Sequence, residues 1–233
     1  MKKFLLLALA LMITVCGFCQ KNIEDETHEV NPFCSLTMNV IGDSYVANHK
    51  RPKEESWHAK FAAKHNMTYR NYGRNGCCVA FDRERFGKAL INRYQEMNDT
   101  ADIILIIAGH NDAGMVKNNK DSLRMFRNAL NDLLKGLKKK YQNARIGYIT
   151  PWYVDREGFP QVVKTIKRVC QKYDVPVLDN FSSDCIIKVR DEEFRKHYFQ
   201  SNKDTAHLNS HGHDLFLDVA EEFMYRLINN TDK

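Results

Sequence analysis

The sequence predicts an α/β protein: a doubly wound, three-layer α/β/α domain on a central five-stranded parallel sheet. Three observations predict it. Apolar runs of strand length alternate with segments of helical periodicity from residue 36 to the C-terminus, the pattern of successive βαβ units. "ADIILIIAG" (101–109) is an unbroken, isoleucine-rich apolar run, as expected of a central strand covered on both faces. A chain of 233 residues, 43% hydrophobic, can bury one sizeable core and is short for two, which also excludes a disordered tail.

The elements follow in order. "MKKFLLLALALMITVCGFC" (1–19) has two lysines, an apolar run too short for a comfortable membrane span, and small residues around Gly17, the layout of a secretory signal peptide. A lipoprotein cysteine at Cys16 or Cys19 is disfavoured, because Val15 and Phe18 before them are not small. Residues 20–34 are polar, contain Pro32 and predict a flexible lead-in; 35–233 form the single domain. "LTMNVI" (36–41) is the first strand, "SWHAKFAAKH" (56–65) a helix with Trp57, Phe61 and Ala62 on one face, and "MTYRNY" (67–72) the second strand. After the strand at 101–109, residues 121–141 place Leu123, Phe126, Leu130, Leu133, Leu134 and Leu137 at helical spacing. "ARIGYIT" (144–150) is the fourth strand, 160–173 a helix, and "VPVLD" (175–179) the fifth strand. A last helix, 212–228, carries Leu215, Phe216, Val219, Phe223, Met224 and Leu227 on one stripe. Repeats and low-complexity segments are absent from the sequence.

In open α/β sheets, sites form beyond the carboxyl ends of the strands. Ser44, Gly76, Asn111 and Trp152 follow strands one to four, and the segment after strand five leads to Asp204 and His207. All of them therefore fall at one edge. A serine hydroxyl needs a base to take its proton, and the base needs a third group to hold its tautomer. In "DTAHLNSHGH" (204–213), Asp204 and His207 lie three apart, so a helix-like turn puts both side chains on one face. "RNYGRNGCC" (70–78) offers backbone N–H groups and "AGHND" (108–112) the Asn111 amide for a developing oxyanion.

"IGDS", "NYGRNG", "GHND" and "DTAHLNSHGH" resemble, in order and spacing, the four sequence blocks of the SGNH hydrolases, also called GDSL lipases or esterases. The resemblance implies a flavodoxin-like sheet of order 2-1-3-4-5. It implies Ser44 as nucleophile, His207 as base and Asp204 as triad acid, with the Ser44 and Gly76 amides and the Asn111 side chain as oxyanion hole. Leu208 stands where the family often has proline, a position that shapes a turn and does no chemistry. The GxSxG elbow of α/β-hydrolases is absent from the sequence.

Around these residues the alternatives stay open. Arg74 either meets an anionic substrate or is solvated, and His110 either touches substrate or is merely exposed. Trp152 and Tyr153 either stack on a sugar or acyl chain or pack in the core. Cys77 and Cys78 are small packing residues or half of a disulfide. Asp204, His207, His211 and His213 have the residue types of a zinc site, but Gly212 interrupts them and Asn209 or Ser210 suits a helix N-cap, which makes His211 and His213 surface residues of a first turn. Loss of Lys2 and Lys3 with the leader lowers the formal charge from +6 to +4. "KGLKKK" (135–140), the one dense basic run, falls on the polar face of a helix as a solvated face, so nucleic acid is not an expected partner. The expectation is an exported ester hydrolase, periplasmic or extracellular, with no cofactor, no metal and no membrane insertion after cleavage. Little sequence separates the blocks, which predicts short loops and an open, shallow site. The substrate expected is a small ester or acylated carbohydrate, as in a short-acyl carbohydrate O-acetylesterase; the same family includes lipases, lysophospholipases and thioesterases. A non-catalytic sugar- or metal-binding module on the same fold is the rival.

Overall fold

Thr37–Gly42 forms strand β1, and the one-turn helix α1 (Ser44–Ala47) begins two residues later. There follow α2 (Trp57–Lys64), β2 (Thr68–Gly73), α3 (Leu90–Arg93), β3 (Ile103–Ile107), α4 (His110–Val116), α5 (Lys120–Lys140) and β4 (Arg145–Ile149). α6 (Phe159–Lys172), β5 (Val177–Leu178), α7 (Glu192–Tyr198) and α8 (Ser210–Asn229) complete the chain. The computed structural model describes residues 31–229; the leader at 1–19 and residues 20–30 lie outside the described residues. The five strands pair in parallel in the order β2-β1-β3-β4-β5, as expected. Gly42 stands opposite both Gly73 and Ile107, so the carboxyl ends of the three strands finish level at one edge.

Strand alternation divides the core into two layers. Ile104 and Ile106 of β3 face α5 and α6, and Ile103, Leu105 and Ile107 face α2 and α8. On α5, Phe126, Leu130, Leu133, Leu134 and Leu137 are fully buried, and Leu123 is half-buried at the margin. Asn119 caps this helix by accepting the Ser122 N–H at 2.8 Å, and Lys138, Lys139 and Lys140 occupy its last turn, where the helix dipole favours cations.

Three expectations are corrected. The lead-in segment does not run to residue 34: the Phe33 ring is fully buried against Phe61, His65 and Tyr225 at 4.8–4.9 Å. Lys140 is no solvated member of the basic run: its ammonium donates to the Gln95 and Met97 carbonyls at 2.8 and 2.7 Å. His213, expected at the surface, is 4% exposed, because α8 turns that position inward beside Phe216. The helices α1, α3, α4 and α7 gave no periodic signal; α7 is mostly charged, its Phe194 and Tyr198 are only half-buried against the core, and none of its residues is fully buried. Among the described residues, no helix is long and apolar enough to cross a membrane.

Candidate active site

β1 ends at Gly42, packed against β3 and α1. A Cβ on Gly42 would strike the Ile107 carbonyl oxygen and a Val46 methyl, so only glycine allows this close approach. Asp43 accepts the Tyr45 N–H at 3.0 Å and caps α1, leaving Ser44 as its first residue. The tripeptide thus forms the expected turn, and that turn leaves Ser44 at the end of the strand. α1 ends at Asn48 in the left-handed region (φ 58°), whose N–H returns to the Ser44 carbonyl.

The side chain that meets Ser44 comes from the far end of the chain. His207 Nε2 lies 2.9 Å from Ser44 Oγ, and its Nδ1 lies 2.9 Å from Asp204 Oδ2. Residues 204–207 form a turn rather than the helix-like backbone expected. Asp204 Oδ1 accepts the Ala206 and His207 N–H groups at 2.8 and 2.9 Å, which tightens the same spacing. Burial pushes the Asp204 carboxyl up, but hydrogen bonds from the His207 ring and the Ala206 amide outweigh it and hold the group below its usual range. An ionised Asp204 only accepts, so Nδ1 carries the proton and the Nε2 lone pair faces Ser44. Leu208, in the position where proline is common, is buried and bridges Phe199, which fixes the loop by pairing instead of by a ring.

The loop after β2 contributes at the same edge of the sheet. Gly76 has φ +71°, and a Cβ there would strike the Phe86 ring. Arg83 donates to the Gly76 carbonyl at 2.9 Å while its guanidinium sits 4.2 Å over Phe86. Neither the Ser44 nor the Gly76 N–H has a backbone acceptor among the described residues. Asn111 lies beside them on α4, but its amide already donates to the Cys77 carbonyl at 3.1 Å and to Asp43 Oδ2 at 3.3 Å. Donation to a substrate oxygen therefore requires it to release the longer bond, to Asp43.

Two buried carboxyls beneath this loop carried no assigned role in the sequence reading. Asp112 accepts the Val79 N–H at 2.8 Å and the Ala80 N–H at 3.1 Å, clamping the chain just past Gly76. Burial pushes Asp112 up to about 6 against those amides, and it pushes Asp43 up to about 7, with the Asp112 charge adding to the rise. Both stand inside the quoted blocks, one residue from Ser44 and from Asn111. That adjacency is the signal for them.

The expected substrate contacts divide. His110 is buried, its Nδ1 3.1 Å from the Tyr45 hydroxyl, and burial followed by the Arg156 charge pushes it down to about 3; it is a neutral brace and neither an exposed residue nor a contact. Trp152 is 4% exposed and donates from Nε1 to the Thr205 carbonyl at 3.1 Å, so it braces the Asp204–His207 turn rather than offering a stacking face. Tyr153 stays half-buried beneath Arg190, 4.5 Å away. Arg74 is exposed on the loop rim. His49, which the sequence reading passed over, stacks on His207 with centroids 4.1 Å apart and planes 15° apart. His211 is exposed and His213 turns inward to Asn48, so the two do not converge with His207; among the described residues, no group of three or more His, Cys, Asp or Glu could hold a metal. Cys77 and Cys78 are buried free thiols, packing residues and not a disulfide. The connections 74–89 and 179–191, longer than the short loops expected, border the edge.

Similar proteins carry the same architecture. A protein from Lactobacillus plantarum superposes with a TM-score of 0.69 at 22% identity, covering 82% of this chain and 97% of its own. A psychrotrophic esterase from a Pseudoalteromonas species, solved with monoethylphosphonate as inhibitor, gives 0.62 at 16% identity, covering 84% and 100%. A family two carbohydrate esterase from Clostridium thermocellum gives 0.63 at 14% identity, covering 83% and 65%. At these identities the likeness concerns the fold. No curated protein matches the sequence significantly. The model of the GDSL-like lipase/acylhydrolase family matches residues 40–215, from the middle of β1 into α8 and across every element named above as part of the site, and the chain belongs to that family.

Proposed function

We propose that the protein is an exported serine ester hydrolase that works through an acyl-enzyme and prefers short acyl groups. The observation that carries it is the continuous relay from Asp204 through His207 to Ser44, with both links at 2.9 Å. Ser44 Oγ attacks the ester carbonyl as its proton passes to His207 Nε2; the carbonyl oxygen becomes an oxyanion facing the Ser44 and Gly76 amides and Asn111. His207 then returns the proton to the departing alcohol, and water, activated by the same nitrogen, releases the acid. Short acyl preference is supported by the cavity that Ser44 and His207 line with Ile107, Trp152 and Phe216: it measures about 10 Å³, room for about one water. Export is supported by the leader pattern at 1–19, and the N-terminus of the protein recovered from the medium or periplasm tests it.

The deciding experiment is hydrolysis of p-nitrophenyl acetate and of longer p-nitrophenyl esters, with Ser44→Ala and a chelator in parallel. Turnover is expected to fall with chain length, to survive chelation and to drop about 10⁴-fold or more in Ser44→Ala. Asn111→Ala is expected to lose roughly 10²- to 10³-fold in kcat, the effect of one oxyanion donor. Wild-type turnover by Ser44→Ala overturns the assignment. No turnover at all, with no covalent labelling of Ser44 by an alkylphosphonate, hands the site to the binding-module reading.

A further inference from the structure

The contacts of His207 with Ser44 Oγ and Asp204 Oδ2 both run to its ring nitrogens, so they lie at the edge of the ring and leave its faces to other groups. One face is covered by a second imidazole. His49 stacks on His207 with centroids 4.1 Å apart and planes 15° apart, whereas Tyr45 stands off at 6.3 Å and 45°. His49 also lines a groove of about 610 Å³ between residues 49–51 and the segment 196–211, a groove that His207 itself does not line. The His49 ring is therefore a plate between His207 and the water of the groove. The backbone ties that plate to both sides of the site: the His49 N–H donates to the Ser44 carbonyl at 3.2 Å, and the Asn75 amide, one residue before Gly76, reaches the His49 carbonyl at 3.5 Å.

The charge on the plate decides what it does. A neutral ring offers its π face to an imidazolium, and a cation at the same distance repels one. The groove that His49 lines is shared with Lys50 and Arg51 of its own segment and with Lys196, Asp204 and His211 across from it. Arg51 is matched by Glu55, and Lys196 by Glu192 and Glu193. From the loop after β2, Asn75 is the contact, and Arg74 lies against Gly87. Burial, then the charges of His207 and Lys50, push the His49 imidazole below its usual range, against the pull of Asp204. That direction keeps the plate neutral while His207 carries a proton.

We propose that His49 is a positioning residue for His207: its stacked, uncharged ring steadies the imidazolium formed when Ser44 gives up its proton, and it keeps the water of the groove off that face. His49 itself neither gives nor takes a proton; the proton passes from Ser44 Oγ to His207 Nε2 and on to the departing alcohol. The proposal rests on the ester-hydrolase reading for the reaction, while the coupling of the two imidazoles can be measured without it.

Substitutions at His49 separate ring from charge. His49→Asn suits the positive φ of 41° but removes the plate, and kcat/KM on p-nitrophenyl acetate is expected to fall roughly three- to tenfold, mostly in kcat. His49→Phe puts back an uncharged ring and is expected to recover most of that loss. His49→Arg stacks a planar cation instead, and is expected to lose on the order of tenfold or more. Its fixed charge opposes a proton on His207, so the acid limb of kcat/KM is expected to move to lower pH by about one unit. A ring that only fills space would leave that limb in place. Equal rates in His49→Asn and His49→Phe overturn the proposal, and so does an unmoved limb in His49→Arg. The readout that needs no turnover is a proton NMR titration of the His49 ring, its signal assigned by its loss in His49→Asn. His49 is expected to titrate below the ordinary histidine range and to move up in His207→Gln, which takes away the neighbouring charge. No movement in His207→Gln overturns the coupling even in a protein that cleaves esters. Movement in a protein that cleaves none removes the hydrolase reading and the positioning role with it, and leaves only a coupled pair of imidazoles.

Discussion

The two layers that flank the sheet are built from different materials. Under α5 and α6 the contacts are almost wholly aliphatic and aromatic: Leu130, Leu133, Leu134 and Leu137 against Ile104, Ile106, Val162 and Ile166. Under α2 and α8 the same sheet meets buried polar groups as well, Asn48, Ser56, His58, His65 and His213 among Trp57, Phe61, Phe216 and Phe223. The polar members form chains that end near Ser44. His213 Nε2 lies 3.0 Å from Asn48 Oδ1, and Asn48 closes the turn of helix that carries Ser44. His58 Nδ1 lies 2.9 Å from Ser56 Oγ and 2.7 Å from the Tyr69 hydroxyl, while its Nε2 reaches toward the Tyr45 carbonyl. One layer supplies bulk stability. The other trades some of that stability for the position of two segments, 43–49 and 204–209.

Substitution on each side breaks that comparison if it is wrong. Leu133→Ala removes a fully buried side chain from the aliphatic layer and is expected to cost about 2–5 kcal/mol in urea unfolding, with kcat/KM of the folded fraction unchanged. A fall in kcat/KM would mean that the α5 layer also positions the site. His213→Leu keeps apolar bulk but strands Asn48 Oδ1, at about 1–3 kcal/mol, and is expected to lower kcat several-fold as α1 loosens. His213→Gln, which can still donate, is expected to restore much of the rate. If Leu and Gln behave alike, α8 supports α1 by packing alone.

The difference between the layers also explains what the sequence made legible. The α5 stripe, the isoleucine run of β3 and the strand order follow from periodicity, because apolar burial leaves a period in the chain. The residues at the strand ends were legible for another reason: chemistry confines them to few residue types, and Ser44, Asp204 and His207 converge as their spacing implies. Polar residues that serve the site from behind leave neither mark. His213, His110 and Trp152 look from sequence like surface or contact residues, and each proved to be buried with its polar atom engaged by a segment far away in the chain. His49 faces His207 only because Asn48 and His49 both adopt positive φ, a backbone feature that asparagine hints at and histidine does not. The groove beside it joins residues about 150 apart, which no local pattern reports.

The smallest expected effect concerns pH, and it opposes the two kinds of buried group directly. Burial pushes His58 down to about 4 and His110 and His213 to about 3, so each contributes stability that is present above about pH 6.5 and lost as pH falls toward its folded value. Asp43 and Asp112, raised to about 7 and about 6, act in the other sense: their contribution is present below about pH 4 and lost as pH rises through the folded values. Between pH 4.5 and 5.5, unfolding takes up protons on these imidazoles and releases protons from the two carboxyls, so the two kinds of group oppose each other. Stability is therefore expected to rise with pH across that interval, less steeply than the histidines alone would give. Asp204 and Glu221, both held below their usual values, add to the acid loss mainly below it. Asp43→Asn removes one of the opposing carboxyls while keeping an acceptor for the Tyr45 N–H, and is expected to steepen that rise. Urea unfolding at pH 4.5, 5.0 and 5.5 measures both slopes. An unchanged slope in Asp43→Asn would mean that Asp43 is ionised throughout that interval, and that the loop carrying Ser44 is built around a buried charge rather than a neutral acid.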